Sequence, residues 1–202
     1  MIANAHNKQH SLFLVDDDRL VLAILTQGLS QAGYSINTAE SVDEAEATLA
    51  SGERPDLVIL DVSMPGRNGL ELAERLHSFD HIPFILLTAF CDPETVEQAA
   101  TCGALGYLVK PVDIRQLVPA IEAALARATE LQSLKITGQQ LQNALDRERD
   151  ISIAIGITMV QYRLGRKAAF ELLRKTARNQ RRKLAELALD VIKASENLNL
   201  GN

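Results

Sequence analysis

Six side chains have the types and settings for anion and metal chemistry. Asp16, Asp17 and Asp18 are consecutive carboxylates, Asp61 is a fourth, Thr88 offers a hydroxyl, and Lys110 offers an ammonium just before Pro111. Each group follows its own short apolar run, at 11–15, 57–60, 84–87 and 105–109. Consecutive branched apolar residues at such lengths read as strands buried on both faces. In an open α/β sheet, ligands bind at the carboxyl edge of the strands, where these polar groups would stand. Two adjacent carboxylates plus Asp61 would make a hard, oxygen-rich, negative pocket of the kind that suits Mg²⁺. A lone strand-end aspartate is more often a helix cap or a loop residue, so the reading rests on the whole set.

The elements that must position these groups alternate along the chain. Asp18 is placed to cap a helix carrying Leu20, Leu22, Ile24, Leu25 and Leu29, which ends near Gly33. A weaker strand follows at 35–38, and Ser41 with Glu44 forms a capping box for a helix to about Ala50. Pro65 and Gly66 turn the chain after Asp61, and a helix is expected from Leu70 to about Leu76. Asp92 is expected to cap a helix carrying Val96 and Ala99. Five strand–helix alternations predict an α/β fold with a five-stranded parallel sheet, doubly wound so that both faces are covered. His77 and His81 are four apart, but Ser78, Phe79 and Asp80 place them at a helix end before Ile82-Pro83, which argues against a metal face.

A second pattern begins at Asp113, which forms a capping box with Gln116. Leu117, Ala120, Ala124, Leu131, Leu134, Leu141 and Leu145 then fall on an alternating three-and-four spacing, with Arg127 and Gly138 as faults. That is the seam of a two-helix coiled coil. Up to about Arg127 a helix packed on its own sheet explains the pattern equally well. Past Glu130 no sheet is left to cover, so a parallel homodimer through residues 128–150 is expected. Pro119 should kink the helix, since an interior proline can cost ~3 kcal/mol.

The net charge of −5 hides a division. Residues 1–145 carry 9 Lys+Arg against 19 Asp+Glu, and residues 146–202 carry 12 against 7. From Arg163 to Lys183 there are nine cations and one acid, Glu171. Arg163, Arg166 and Lys167 open this stretch, and Arg174, Arg178, Arg181 and Arg182 follow at spacings that would form one helical stripe. Such a stripe can track nucleic-acid phosphates; a solvated helix face is the plainer alternative. Breaks at Gly165 and at Asn179-Gln180 divide residues 145–195 into three helices, a small all-α unit.

Hydrophobic content of 47% is ordinary for a globular protein. No apolar run approaches the ~20 residues that span a bilayer, and MIANAHNKQHS lacks an apolar signal core, so a cytoplasmic protein without membrane contact is expected. Cys91 and Cys102 lack metal or redox spacing and are expected to be reduced. The expected division is a disordered tail over 1–10, the α/β domain over 11–127, a coiled-coil linker helix over 128–146 and the basic unit over 147–202.

The runs FLVDDD, LVILDVSMPGRNG, FILLTA and GYLVKP, in this order and separation, resemble the receiver domain of two-component response regulators. The resemblance implies a flavodoxin-like fold, and that Asp61 accepts a phosphoryl group from a sensor histidine kinase. It also implies that Asp16 and Asp17 hold Mg²⁺ with Asp61 and the backbone carbonyl of Ser63, and that Lys110 and Thr88 engage phosphoryl oxygens. Tyr107 takes the position of an aromatic that swings inward on activation. Phe90 and Ser63 flank the path of the hydrolytic water, where Phe90 would slow loss of the phosphoryl group.

The basic unit resembles the ANTAR domain of AmiR/NasR-type antiterminators. The matching residues are 154–159, the AAFELLR run at 168–174, Ala177 and Leu184, with Gly156, Met159 and Phe170 at the expected separations. Thr158 departs from it, standing where the family is usually apolar. This resemblance implies a dimer that binds paired hairpins of a leader transcript and prevents a terminator from forming, without catalytic turnover of its own. Two other functions fit the same residues: a DNA-binding regulator using helices around Gly165 as a helix-turn-helix, or a phosphorelay intermediate whose basic half only dimerises.

Overall fold

The structure, a computed structural model, describes residues 9–89 and 101–199. Phe90, Cys91 and the helix expected after Asp92, with Val96 and Ala99, lie outside the described residues, as do residues 1–8 of the expected tail. His10 is held in place: its carbonyl accepts from the Ser35 amide at 3.0 Å.

The chain divides into two compact units, Met1–Gln132 and Ser133–Asn202. In the first, β1 (Ser11–Val15), β2 (Ser35–Ala39), β3 (Leu57–Asp61), β4 (Phe84–Thr88) and β5 (Tyr107–Val109) form one sheet in the order β2-β1-β3-β4-β5. Every pairing is parallel, and Leu14 registers with Ile59, Ile59 with Ile85, and Leu87 with Leu108. The last strand is shorter than the sequence predicts. Leu105 and Gly106 still exchange hydrogen bonds with β4, at 2.9 and 3.0 Å, but the ladder is regular only from Tyr107.

Side-chain alternation divides the core into two layers. Leu12, Leu14, Leu57, Ile59, Ile85 and Leu87 face α1 (Arg19–Gln31) and the start of α4 (Ile114–Tyr162). Phe13, Val15, Val58, Leu60, Phe84 and Leu86 face α2 (Val42–Ala50) and α3 (Gly69–Arg75), which continues into a π-helical turn at Leu76–Asp80. The doubly wound architecture follows from strands that are apolar on both faces and so need cover on both. The caps are those the sequence predicts: the Asp18 carboxylate accepts from the Leu20 and Val21 amides, and the Ser41 hydroxyl from the Glu44 amide. Asp113 accepts from Gln116 at 3.0 Å at the head of α4.

Leu117, Ile121 and Ala124 of α4 are buried against the sheet with α1. The helix continues through Pro119, so the proline does not end it. Proline there lacks the N–H that would reach the Arg115 carbonyl, and its ring crowds that carbonyl. Further along the same helix, before its last turns, Leu134 and Leu141 are 61% and 62% exposed, and Leu131 and Leu145 about half exposed.

In the second unit, α5 (Arg166–Asn179) and α6 (Leu184–Asn199) pack with the end of α4 around Ala154, Ile155, Ala169, Leu173, Ala177, Leu187 and Ala188. The four-residue steps from Ala169 to Ala177 set one face of α5 inward. Thr158, the departure from an apolar pattern, is buried with its hydroxyl donating to the Ala154 carbonyl at 2.8 Å, so it fills a core position at no loss of hydrogen bonding.

Candidate functional site

Parallel register brings the strand-end polar groups to one edge. Asp16 follows β1, Asp61 ends β3, Thr88 ends β4, and Lys110 follows β5. Asp16, Asp61 and Thr88 are buried. The Lys110 amide donates to the Thr88 carbonyl at 2.8 Å, which seats the lysine against β4. Its ammonium donates to Asp61 Oδ2 at 2.8 Å. The same nitrogen lies 2.6 Å from Asp16 Oδ2, an ion pair out of hydrogen-bond alignment. One cation therefore serves two buried carboxylates. Burial pushes the Asp16 carboxyl above the usual carboxylate range, against the pull of Lys110. Burial also opposes charge on Lys110, yet its pairing with Asp16 and Asp61 prevails and holds its pKa above the ordinary value.

Carboxylate oxygens of Asp16, Asp17 and Asp61 lie within 4.8 Å of one another, with Asp17 exposed. Oxygen ligands from a few carboxylates, with room for water on the open side, match what Mg²⁺ takes. Asp16 Oδ2, buried and paired with the Lys110 ammonium outside hydrogen-bond alignment, keeps lone-pair capacity for a second cation. The residues present thus fit a hard divalent ion. Asp16 Oδ1 accepts from the Asp18 amide at 3.0 Å, and Asp61 Oδ1 from the Ser63 amide at 3.2 Å, so both carboxylates are oriented by the loops that follow their strands. Tyr107 is 43% exposed, its side chain directed away from the core. His81 is engaged locally, with Nδ1 2.9 Å from the His77 carbonyl.

Three features were not read from the sequence. Gly69 opens α3 so close to the end of β3 that a Cβ there would collide with the Asp61 carbonyl oxygen. Arg67, in the loop after Asp61, bonds Asp43, Glu46 and Glu71, which tie α2 and α3 to that loop and raise the arginine's pKa. The buried Tyr34 donates its hydroxyl to Glu122 of α4 at 2.6 Å. The signals were present as a glycine after a proline–glycine turn, a lone arginine among acids, and a tyrosine beside a strand. Their partners come from distant parts of the chain.

On the basic unit, Arg163, Arg166, Lys167, Arg174, Arg178, Arg181 and Arg182 are all exposed. They do not form one helical stripe. α5 ends at Asn179, and Arg181 lies in the turn beyond with a left-handed backbone, so only Arg174 and Arg178 of the four share a helix face. Arg174 is 3.3 Å from Glu171, and Arg182 is 2.6 Å from Asp190, both pairs at the surface. Arg166 and Lys167 occupy the first turn of α5, where positive charge opposes the helix dipole, and Gly165 offers no side-chain cap. An open groove of about 650 Å³ runs along α5, lined by Leu164, Ala168, Leu172, Arg174, Lys175 and Arg178 among others.

Residues 12–122 match the response regulator receiver domain, and residues 139–192 match the ANTAR domain. The transcriptional regulatory protein PdtaR of Mycobacterium tuberculosis is 34% identical over 185 residues, covering 90% of each chain. This chain is a response regulator with an ANTAR output domain. The transcriptional regulatory protein AruR of Pseudomonas aeruginosa is 31% identical over 180 residues, 83% of this chain and 71% of its own. A CheY-like receiver domain protein from Methanospirillum hungatei superposes with a TM-score of 0.57 at 27% identity, over 61% of this chain and 98% of its own. The response regulator therefore belongs to a two-component system. Receiver domains are phosphorylated by histidine kinases and generally bind Mg²⁺ through an acidic pocket, ANTAR domains bind RNA, and neither family is catalytic. Among the described residues, no helix is long and apolar enough to cross a membrane.

Proposed function

We propose that this response regulator is a phosphorylation-switched antiterminator, with a receiver over 11–127, a linker helix over 128–146 and an RNA-binding domain over 147–202. The observation that carries the first half is the Asp61 carboxylate, buried at the sheet edge, hydrogen-bonded to Lys110 and grouped with Asp16 and Asp17. An Asp61 oxygen bonds phosphorus as the bond to the kinase's histidine nitrogen breaks, and the imidazole takes up a proton. Lys110 balances a phosphoryl oxygen, and the Thr88 hydroxyl donates to another. Asp16, Asp17, Asp61 and the Ser63 carbonyl would hold Mg²⁺, which when bound neutralises charge on the transferring group. Tyr107, exposed on β5, is the aromatic that turns inward when Thr88 moves.

The second half rests on the uncovered leucines of α4 and the exposed cations of α5. The leucines give a homodimer seam. The cations hold hairpin stems of a leader transcript while loop bases are read by side chains, which keeps a competing terminator from forming. Intact mass after incubation with acetyl phosphate and Mg²⁺ tests the first half. One phosphoryl group is expected on wild type and none on Asp61→Asn; equal addition to both overturns it. A labelled leader hairpin challenged with duplex DNA tests the second. Displacement by DNA of any sequence would favour a DNA-binding regulator instead.

A further inference from the structure

Two helix ends in the basic unit are built alike, and both place an arginine where glycine is favoured. At the end of α4, Arg163 has φ 54° and the Leu164 amide reaches back to the Met159 carbonyl at 3.1 Å. At the end of α5, Arg181 has φ 53°, its amide bonds the Arg178 carbonyl at 3.1 Å, and the Arg182 amide bonds the Ala177 carbonyl at 3.0 Å. This is the Schellman arrangement, whose left-handed position usually carries glycine because a Cβ is strained there.

The receiver unit supplies the comparison. α1 ends with the same bond, from the Tyr34 amide to the Leu29 carbonyl at 3.1 Å, and its left-handed residue is Gly33. Gly52, after α2, is left-handed too. The remaining left-handed non-glycine residue among those described is His81, whose ring bonds the His77 carbonyl and so offsets the strain locally. Arg163 and Arg181 have no such compensation. Among the described residues, neither side chain makes a hydrogen bond or an ion pair, although acids pair with their neighbours Arg174 and Arg182. Each backbone turn closes its helix and positive charge there suits the helix dipole, but neither use requires a side chain on a left-handed backbone, where glycine would cap equally well, and strain of this kind collects at ligand-binding positions.

We infer that Arg163 and Arg181 are a pair of backbone clamps for RNA, each holding a phosphate from a helix end, separated by the length of α5. That helix has 14 residues, about 21 Å at 1.5 Å rise each. The contacts are therefore to phosphates far apart along the strand, on either side of the groove along α5. Phosphate contacts position the nucleic acid without reading its sequence. This inference rests on the RNA-binding reading above and deepens it.

The test separates strain from charge by using two substitutions at each site in the full-length protein. Arg163→Gly and Arg181→Gly remove the cation and relieve the backbone; Arg163→Ala and Arg181→Ala remove the cation and keep the strain. The probe is a fluorescently labelled RNA with two tandem stem-loops. Expected is the same loss of affinity for Gly and Ala at each site, with the slope of log affinity against log salt reduced by roughly 0.7–0.9 per arginine removed. The loss should be equal when the loop sequences are changed. The Gly variants should melt above wild type and the Ala variants below the Gly variants. Binding undiminished in all four variants, or loss only in the Ala variants, overturns the clamp while leaving the RNA-binding reading intact. A wild type that does not retain the RNA at all overturns both.

Discussion

Replacing Lys110 with methionine removes the one cation that two buried carboxylates share. The side chain of Lys110 is 22% exposed, and those of Asp16 and Asp61 are each 3% exposed. Removing one partner from a buried charge cluster costs about 3–5 kcal/mol, because the remaining charge stays desolvated. The partial exposure of Lys110 lets water reach the site, so the low end, about 3 kcal/mol, is expected at neutral pH without Mg²⁺. The pH dependence separates this from lost packing. In the variant, Asp16 loses the cation that offsets its burial and still faces the charge of Asp61, so the folded state holds the Asp16 proton more tightly than the unfolded chain does. Asp16 is already shifted in this direction in the native site, raised from 3.8. A carboxyl raised on folding contributes stability below its unfolded value, and that contribution is lost as pH rises through its folded value. The deficit of Lys110→Met should therefore be largest at neutral pH and shrink as pH falls toward about 4. Millimolar Mg²⁺ should narrow it at neutral pH. Hydrogen exchange of the β1 and β3 amides, followed through a urea series, reports the receiver apart from the other unit. A deficit below about 1 kcal/mol, well under the cost of a broken buried pair, or one unchanged across the pH range, would refute the shared-cation account.

Three further perturbations have definite outcomes. Gly69→Ala drives a methyl group into the Asp61 carbonyl oxygen; it should cost at least ~2 kcal/mol and abolish phosphoryl uptake from acetyl phosphate, and a stable, phosphorylatable variant would show that α3 can shift. Tyr34→Phe removes the bond to Glu122 and should lower receiver stability by about 1 kcal/mol in urea unfolding, whereas an unchanged midpoint would mean the bond is offset by solvation. Changing Leu131, Leu134, Leu141 and Leu145 together to glutamine should halve the mass in sedimentation and leave receiver stability unchanged, since all four are exposed; a dimer that persists would place the interface elsewhere.

What the sequence could disclose depended on the range of the interaction. Asp18, Ser41 and Asp113 cap helices through bonds to residues two or three positions on, so residue type and spacing sufficed. The strand-end cluster was legible because each member follows an apolar run, and parallel pairing makes the ends coincide. The clash that would follow a Cβ at Gly69 depends on how closely two elements approach, and the Tyr34–Glu122 bond joins residues 88 apart, which no local pattern encodes. The stripe from Arg174 to Arg182 misled for a different reason. Residues 178–183 contain no glycine or proline, and arginine and glutamine are good helix formers, so a continuous helix fits local propensity. Tertiary packing of Leu184 and Leu187 against the small core instead requires the chain to turn, and the turn falls on Arg181.

The receiver's contacts also say where a charge change at Asp61 can be felt. Lys110 is bound to Asp61 by its ammonium and to the Thr88 carbonyl by its amide, and three residues later Asp113 caps α4. The first turns of α4 are fixed by Ile114 packed against Gly28, by Leu117 and Ile121 in the core, and by Glu122 on Tyr34. Converting the Asp61 carboxylate into an acyl phosphate adds about one net negative charge beside the lysine that now balances Asp16 and Asp61. Any rearrangement of that lysine acts on the residues that lead directly into α4, whose early turns are too well packed to yield. Past Leu125 the same helix carries Leu131, Leu134, Leu141 and Leu145, exposed among the described residues. Repacking the sheet would cost several kcal/mol. On the proposed reading, the response to phosphorylation is therefore a change of partner along the exposed leucines rather than a change of fold within the receiver.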